Sequence, residues 1–178
     1  VNGIALAATN LVAFGVDTTA GSPSFLKVKS AQPNQQVNFV VNKPDGTVLT
    51  LTSQADQDGN VSTELYDYHT KLAGKYVVAA YLPGQTESIN QGVKTSFKVY
   101  PGEIDLVKST IETDRSIVKA DQKDFSEIKV NLKDTYGNPI PARSVKLISN
   151  RVADLIEKDL VLTNENGQAT FKVSSLNP

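Results

Sequence analysis

The chain has 178 residues, 39% of them hydrophobic, and its 19 acidic against 18 basic side chains leave a net charge of −1. That balance makes no electrostatic case for nucleic acid or an anionic membrane, and neither half departs from it: residues 1–100 hold seven acids and seven bases, and 101–178 hold twelve and eleven. Without Cys, Met or Trp there is no disulfide, thiolate metal site or cysteine nucleophile, and no stretch approaches the ~18 apolar residues of a membrane span.

The chain does not open on Met, which reads as a processed chain or an excised fragment. The first apolar run, Ile4–Ala8, lacks the basic flank of a signal peptide and reads as a strand. From there the dominant period is two. Val37, Phe39 and Val41 alternate with Asn38 and Asn42, Val61, Thr63 and Leu65 with Ser62 and Glu64, and Val93, Thr95, Phe97 and Val99 with Lys94, Ser96 and Lys98. One apolar and one wet face is the signature of antiparallel strands in a sandwich. Strands are expected near 10–16, 25–30, 36–42, 47–53, 60–66, 75–82 and 93–100.

A second series is expected near 103–109, 116–119, 126–134, 144–150, 159–163 and 168–174. Between 151 and 158 the spacing of Val152, Leu155 and Ile156 suits a helical turn or a loop. Turn signals punctuate both series: Pro44-Asp45-Gly46, Asp58-Gly59-Asn60, Leu82-Pro83-Gly84, Tyr136-Gly137-Asn138-Pro139 and Asn166-Gly167-Gln168. The two series repeat weakly. Asp56-Gln57-Asp58-Gly59-Asn60 precedes Val61, Thr63 and Leu65, as Asn164-Glu165-Asn166-Gly167-Gln168 precedes Ala169, Phe171 and Val173. The expectation is an all-β chain of two tandem immunoglobulin-like β-sandwiches, 1–100 and 101–178, with the last strand pair of the second missing. No Gly/Ser-rich linker parts them. The inward parity changes from odd (Val93 to Val99) to even (Ile104, Leu106) across Pro101-Gly102, so a near-continuous strand with a bend is expected there, with Tyr100 near the interface.

Residues 117–173 resemble the bacterial immunoglobulin-like repeats of invasin and intimin. The resemblance rests on Ile117-Val118-Lys119-Ala120-Asp121, the strand Ile128–Leu132, the turn from Lys133 to Pro141 through Gly137-Asn138-Pro139, and Leu162 to Phe171. The first hundred residues match only a looser pattern, through Lys43-Pro44-Asp45-Gly46 and Ala73-Gly74-Lys75-Tyr76. Such a resemblance implies stalk or adhesin repeats on a bacterial surface and brings no catalytic residue with it.

Few residues invite chemistry. His69, the one histidine, lies between strands in a segment that reads as a solvated loop, and a lone imidazole makes a poor metal site. Oxygens of Asp56 and Asp58 could gather a calcium ion, but Gly59 comes too soon for an EF-hand loop and the second copy carries Asn164 and Asn166; an ordinary hairpin turn is favoured. Asn60-Val61-Ser62 fits the glycosylation pattern by coincidence in a chain rich in Asn and Ser. Tyr66, Tyr68, Tyr76, Tyr81 and Tyr100 could stack on sugar, but Tyr76 and Tyr81 have opposite parity on one strand and are read as structural. The expectation is therefore a non-enzymatic spacer of an extracellular bacterial surface protein (adhesin, stalk or surface-layer type), with no catalytic residue, metal or cofactor. Its partners would be neighbouring domains of the same protein, with self-association through open sheet edges and Ile4–Ala8 as a candidate donor strand. The competing readings are a glycan- or protein-binding module and an accessory domain of a surface enzyme.

Overall fold

The computed structural model describes residues 11–29, 32–85 and 92–176, which fall into two compact units divided between Tyr100 and Pro101. The run Ile4–Ala8 lies outside the described residues. In unit 1 the strands are β1 (Val12–Gly15), β2 (Thr18–Thr19), β3 (Ser24–Lys29), β4 (Gln36–Asn42), β5 (Val48–Gln54), β6 (Asn60–Leu65), β7 (Gly74–Tyr81) and β8 (Val93–Tyr100). They make two sheets, β1-β3-β6 and β2-β8-β7-β4-β5. All pairings are antiparallel except that of β2 with β8.

Period-two patterning places the core between those sheets. Leu26 and Val28 of β3, and Val61 and Leu65 of β6, meet Val37, Phe39 and Val41 of β4, Tyr76, Val78 and Ala80 of β7, and Phe97 and Val99 of β8, all buried. Each large apolar side chain removed from water this fully contributes about 1.5–3 kcal/mol. Phe97 stacks on Tyr76 with ring centroids 4.9 Å apart. A Cβ on Gly15 would come within 2.9 Å of Phe97, so β1 closes over that ring because residue 15 has no side chain.

Unit 2 holds β9 (Thr110–Thr113), β10 (Ser126–Asn131), β11 (Ser144–Lys146), β12 (Asp154–Ile156), β13 (Leu160–Leu162) and β14 (Gln168–Ser175). Its sheets run β12-β14-β10-β9 and β11-β13. The core is smaller: Val130, Leu132, Ile140, Ala169 and Phe171 are buried, with Ile104, Ile128, Val145, Leu147 and Val161 packed partly against them.

Three expectations about unit 2 are corrected. Residues 103–109 are not a strand, and the near-continuous strand expected across Pro101-Gly102 is interrupted. β8 ends at Tyr100, the next strand starts at Thr110, and only an isolated bridge from Ile104 to Asp134 lies between. The cause is Asp105, whose Oδ1 accepts the N–H groups of Val107 (2.8 Å) and Lys108 (3.1 Å) while its carbonyl takes that of Ser109 (2.9 Å). A side chain that caps its own backbone in this way defeats the alternating pattern of Ile104 and Leu106. Residues 116–119 are likewise irregular, with the Lys119 N–H held 2.9 Å from Asp124 Oδ2, and the first strand of the unit lies between the two expected ones, at Thr110–Thr113. Finally, 151–158 contains β12, where Asp154 pairs with Ser175 and Ile156 with Val173. Three residues are too few for periodicity to distinguish strand from helix.

Four turns share one frame. In 43–47, 56–60, 134–138 and 164–168, the fourth residue is a glycine whose N–H bonds the first carbonyl, and the first N–H bonds the fifth carbonyl, at 2.8–3.1 Å throughout. The glycines Gly46, Gly59, Gly137 and Gly167 have φ of 81°, 78°, 84° and 72°, the left-handed position of a three-residue hairpin loop with a bulge. Their surroundings differ. A Cβ on Gly137 meets nothing within 4 Å, whereas on Gly167 it would lie 2.5 Å from the Leu132 carbonyl oxygen and 2.9 Å from the Ile140 nitrogen. Gly137→Ala is expected to cost about 1 kcal/mol of torsional strain. Gly167→Ala adds a clash with two backbone atoms and is expected to cost about 3 kcal/mol or more. Denaturant titration of the two variants side by side checks the difference, and equal costs would contradict it.

Candidate functional site

The segment considered for calcium is one of these turns. Asp56 Oδ1 accepts the N–H groups of Asp58 (2.9 Å) and Asn60 (2.8 Å). Asn164 Oδ1 does the same for Asn166 (2.9 Å) and Gln168 (3.0 Å), and Asp134 Oδ1 for Tyr136 (2.9 Å) and Asn138 (2.8 Å). A neutral amide serves this role as well as a carboxylate, so the frame calls for an acceptor rather than for charge. Calcium added at millimolar level, or chelator in its place, is therefore expected to leave the melting midpoint of the chain unchanged. A rise of several degrees that disappears in Asp58→Ala would identify a cation site.

Asp134 departs from its two counterparts. Asp56 and Asn164 are exposed, while Asp134 is 1% exposed. Its Oδ2 accepts two further bonds, from Gly102 N–H (2.9 Å) and Asn138 Nδ2 (2.8 Å). One carboxylate thus fixes its own turn and the entry of the chain into unit 2. Sequence reading missed this role, although Asp134-Thr135-Tyr136-Gly137-Asn138 repeats the spacing of Asp56 to Asn60 and could have raised it.

His69 sits at the end of a single 3₁₀ turn, Asp67–His69. It is half-buried, and its ring centroid lies 4.1 Å from that of Tyr68. Burial first, and then the charge of Lys43, hold its pKa below the ordinary 6.5. Its carbonyl accepts the Tyr76 hydroxyl at 3.2 Å. Tyr76 and Tyr81 point to opposite faces of β7: Tyr76 enters the core, and Tyr81 packs with Val40 and Ala79 in a separate cluster. Tyr66, Tyr68 and Tyr100 are exposed, and Tyr66 and Tyr68 are near-parallel with centroids 5.8 Å apart. The five rings therefore do not share one surface. Asn60, on the first position of β6, donates its N–H to Asp56.

Several other carboxylates also serve the backbone. Asp45 is held below the ordinary 3.8 by the Thr47 hydroxyl and then its N–H, and Asp105 by the Thr135 hydroxyl first. Asp114, Asp121 and Asp124 are lowered chiefly by the N–H groups of Glu127, Asp124 and Lys119. What these groups contribute is present above the ordinary carboxylate range and is lost as pH falls through their lowered values. Among the described residues no three His, Asp or Glu side chains gather as a metal site, and no helix is long and apolar enough to cross a membrane.

Two sheets packed face to face by alternating strands, with connections that cross between them, define immunoglobulin-like β-sandwiches. Residues 108–178 match the family described as bacterial Ig-like domain (group 1). No curated protein matches the sequence. Among solved structures, InvD of Yersinia pseudotuberculosis is similar over 94% of this chain and 49% of its own, at 16% identity and a TM-score of 0.57. Invasin, a bacterial integrin-binding protein, is matched over 94% of this chain and 34% of its own, at 21% identity and 0.42. The D0-D1 domain of intimin is matched over 96% and 86%, at 15% and 0.42. The chain thus spans about a third of the invasin chain and half of the InvD chain it matches.

Proposed function

We propose that the chain is a pair of spacer modules, 1–100 and 101–178, in an adhesin-type protein of the bacterial surface, without catalysis of its own. The observation that carries this reading is where the polar chemistry goes. Asp45, Asp56, Asp105, Asp121, Asp134 and Asn164 each cap backbone N–H groups of their own turns, so the carboxylates and amides that a site would need serve the scaffold. The likeness of residues 108–178 to bacterial Ig-like domains supports the same reading. A spacer gives no saturable binding on a glycan array or to host-cell extract. Saturable binding that Tyr66→Ala or Tyr68→Ala abolishes would favour the second reading, a glycan- or protein-binding module, because those two exposed, near-parallel rings offer a surface suited to it.

A further inference from the structure

Six Phe and Tyr side chains are exposed among the described residues, and four of them, Phe14, Phe25, Tyr66 and Tyr68, belong to one side of unit 1. The sheet β1-β3-β6 turns Leu26 and Val28 of β3, and Val61 and Leu65 of β6, into the core. Alternation therefore points Phe25, Lys27 and Lys29 outward on β3, with Ser62 and Glu64 beside them on β6 and Val12 and Phe14 on β1. All seven are exposed.

The register fixes how this face is laid out. Phe14 stands level with Lys27 and Ser62. Val16, whose N–H bonds the Phe25 carbonyl (3.1 Å), stands level with Phe25 and Glu64. One step on, Tyr66 keeps an extended backbone (φ −60°, ψ 156°) and continues the outward parity of β6, with Tyr68 stacked against it. The rings thus run diagonally over three strands, from Phe14 through Phe25 to Tyr66. Lys27 and Lys29 lie toward one end of the strands and Glu64 toward the other, and among the described residues none of the three is ion-paired. A ring offers about 150–250 Å² in full, and exposures from 39% at Phe25 to 57% at Tyr68 leave on the order of 400 Å² of aromatic surface open. Open apolar patches of a few hundred Å² mark interaction sites.

The face is complementary to itself. A second copy laid upon it, turned about a two-fold axis that lies in the interface and crosses the strands at right angles, sets each strand over its counterpart in reverse. With the axis midway between the two levels, Phe14 covers Val16 of the second copy. The stem of Lys27 covers Phe25, and its ammonium lies level with Glu64 of the second copy, one strand spacing (about 5 Å) to the side. Every contact occurs twice. An axis along the strands would instead set Lys27 against Lys27, like charge on like. We propose that this outer face of β1-β3-β6 is a self-association surface, on which a second copy of the chain docks in the reversed sense, pairing Lys27 with Glu64 twice around Phe14, Val16 and Phe25. An aromatic surface of about 400 Å² against the roughly 800 Å² per partner of a standard interface makes this a weak dimer. Its use, the lateral pairing of modules held at high effective concentration, rests on the spacer reading; the contact itself does not.

Sedimentation equilibrium of the 178-residue chain, from micromolar to millimolar concentration at low salt, is the test. The chain is expected to dimerise toward the upper end of that range. Lys27→Glu and Glu64→Lys are each expected to weaken association about tenfold or more, since like charges then face each other. An equimolar mixture of those two variants is expected to restore it, because the new acid then opposes the new base while the untouched pair remains. Phe25→Ser, with retained exchange protection in β4 and β7 as the control for folding, is expected to abolish it. A chain that stays monomeric throughout, association that Phe25→Ser leaves intact, or variants whose mixture does not associate would each overturn the proposal. A monomer whose binding on a glycan array is lost in Phe25→Ser would give the face to a sugar and overturn the spacer reading as well, whereas a monomer that binds nothing leaves that reading intact.

Discussion

Replacing Asp134 by alanine is expected to unfold unit 2 and leave unit 1 standing. The substitution removes the acceptor of four hydrogen bonds, from the N–H groups of Gly102, Tyr136 and Asn138 and from the Asn138 amide. It also takes an acceptor from the side chain of Asn138, itself 6% exposed. A bond to a charged acceptor contributes about 1.5–3 kcal/mol, and a buried donor left unpaired costs about 1–3. These terms do not add in full because water enters, so a loss of about 3–5 kcal/mol is expected. Small domains are stable by only about 5–15 kcal/mol, and a core of five buried apolar side chains sits near the bottom of that range. Hydrogen exchange read by mass spectrometry separates the units: peptides from β10 and β14 should lose protection while those from β4 and β7 keep it. Asp134→Asn should fall between, because its oxygen can cap Tyr136 and Asn138 as Asn164 caps its own turn, while its NH₂ faces the Gly102 donor. Loss of protection in both units together would refute the assignment.

The second large effect comes from Tyr76 at high pH. Burial, and then the negative charge of Asp45, push its pKa up from the ordinary 10 to about 12. The ring is fully buried, and its hydroxyl donates to the carbonyls of Leu72 (3.0 Å) and His69 (3.2 Å). A group whose folded pKa is raised contributes stability that is whole below its unfolded value and is lost as pH climbs through its folded one. Unit 1 should therefore weaken between pH 10 and 12, by roughly 2–3 kcal/mol for a shift of this size. Tyr76→Phe carries no such liability but forfeits the hydroxyl bonds, at about 1 kcal/mol. The variant should be the less stable protein at neutral pH and the more stable one above about pH 11. Denaturant midpoints of both proteins across that range are the measurement. Parallel curves would mean that Tyr76 titrates as it does in the unfolded chain.

Most of unit 1 could be read from residue order because its strands have one apolar face. The alternation Val37, Phe39, Val41 maps onto Gln36–Asn42 without adjustment. Two residues are too few to show a period, and β2 (Thr18–Thr19) was not foreseen. In unit 2 the same reasoning met competition from side chains. Ile104 and Leu106 alternate as a strand would, but Asp105 between them caps the next turn, and local hydrogen bonding outweighed a pattern of two apolar residues. The turns were legible through Gly59, Gly137 and Gly167. What distinguishes Asp134 from Asp56 was not, since the difference is burial against Gly102, a partner 32 residues away. Ile111 follows the same logic: it looks apolar in any reading, and only its pairing with Val130 shows that it shares the side of the sheet that Val130 buries.

The short parallel ladder of unit 1 bears on how the module meets force. Thr18 and Thr19 lie beside Val99 and Tyr100, flanked by Lys98 N–H on Asp17 Oδ1 (2.7 Å) and Ala20 N–H on the Tyr100 carbonyl (2.8 Å). Because β2 and β8 run the same way, a pull on the two ends of the module drags them past each other along their length. The contacts between 17–20 and 98–100 then resist in shear, sharing the load at once, whereas an antiparallel hairpin pulled from its open end gives way one bond at a time. Four residues near the start of the module and three at its end thereby act as a mechanical latch for all that folds between them.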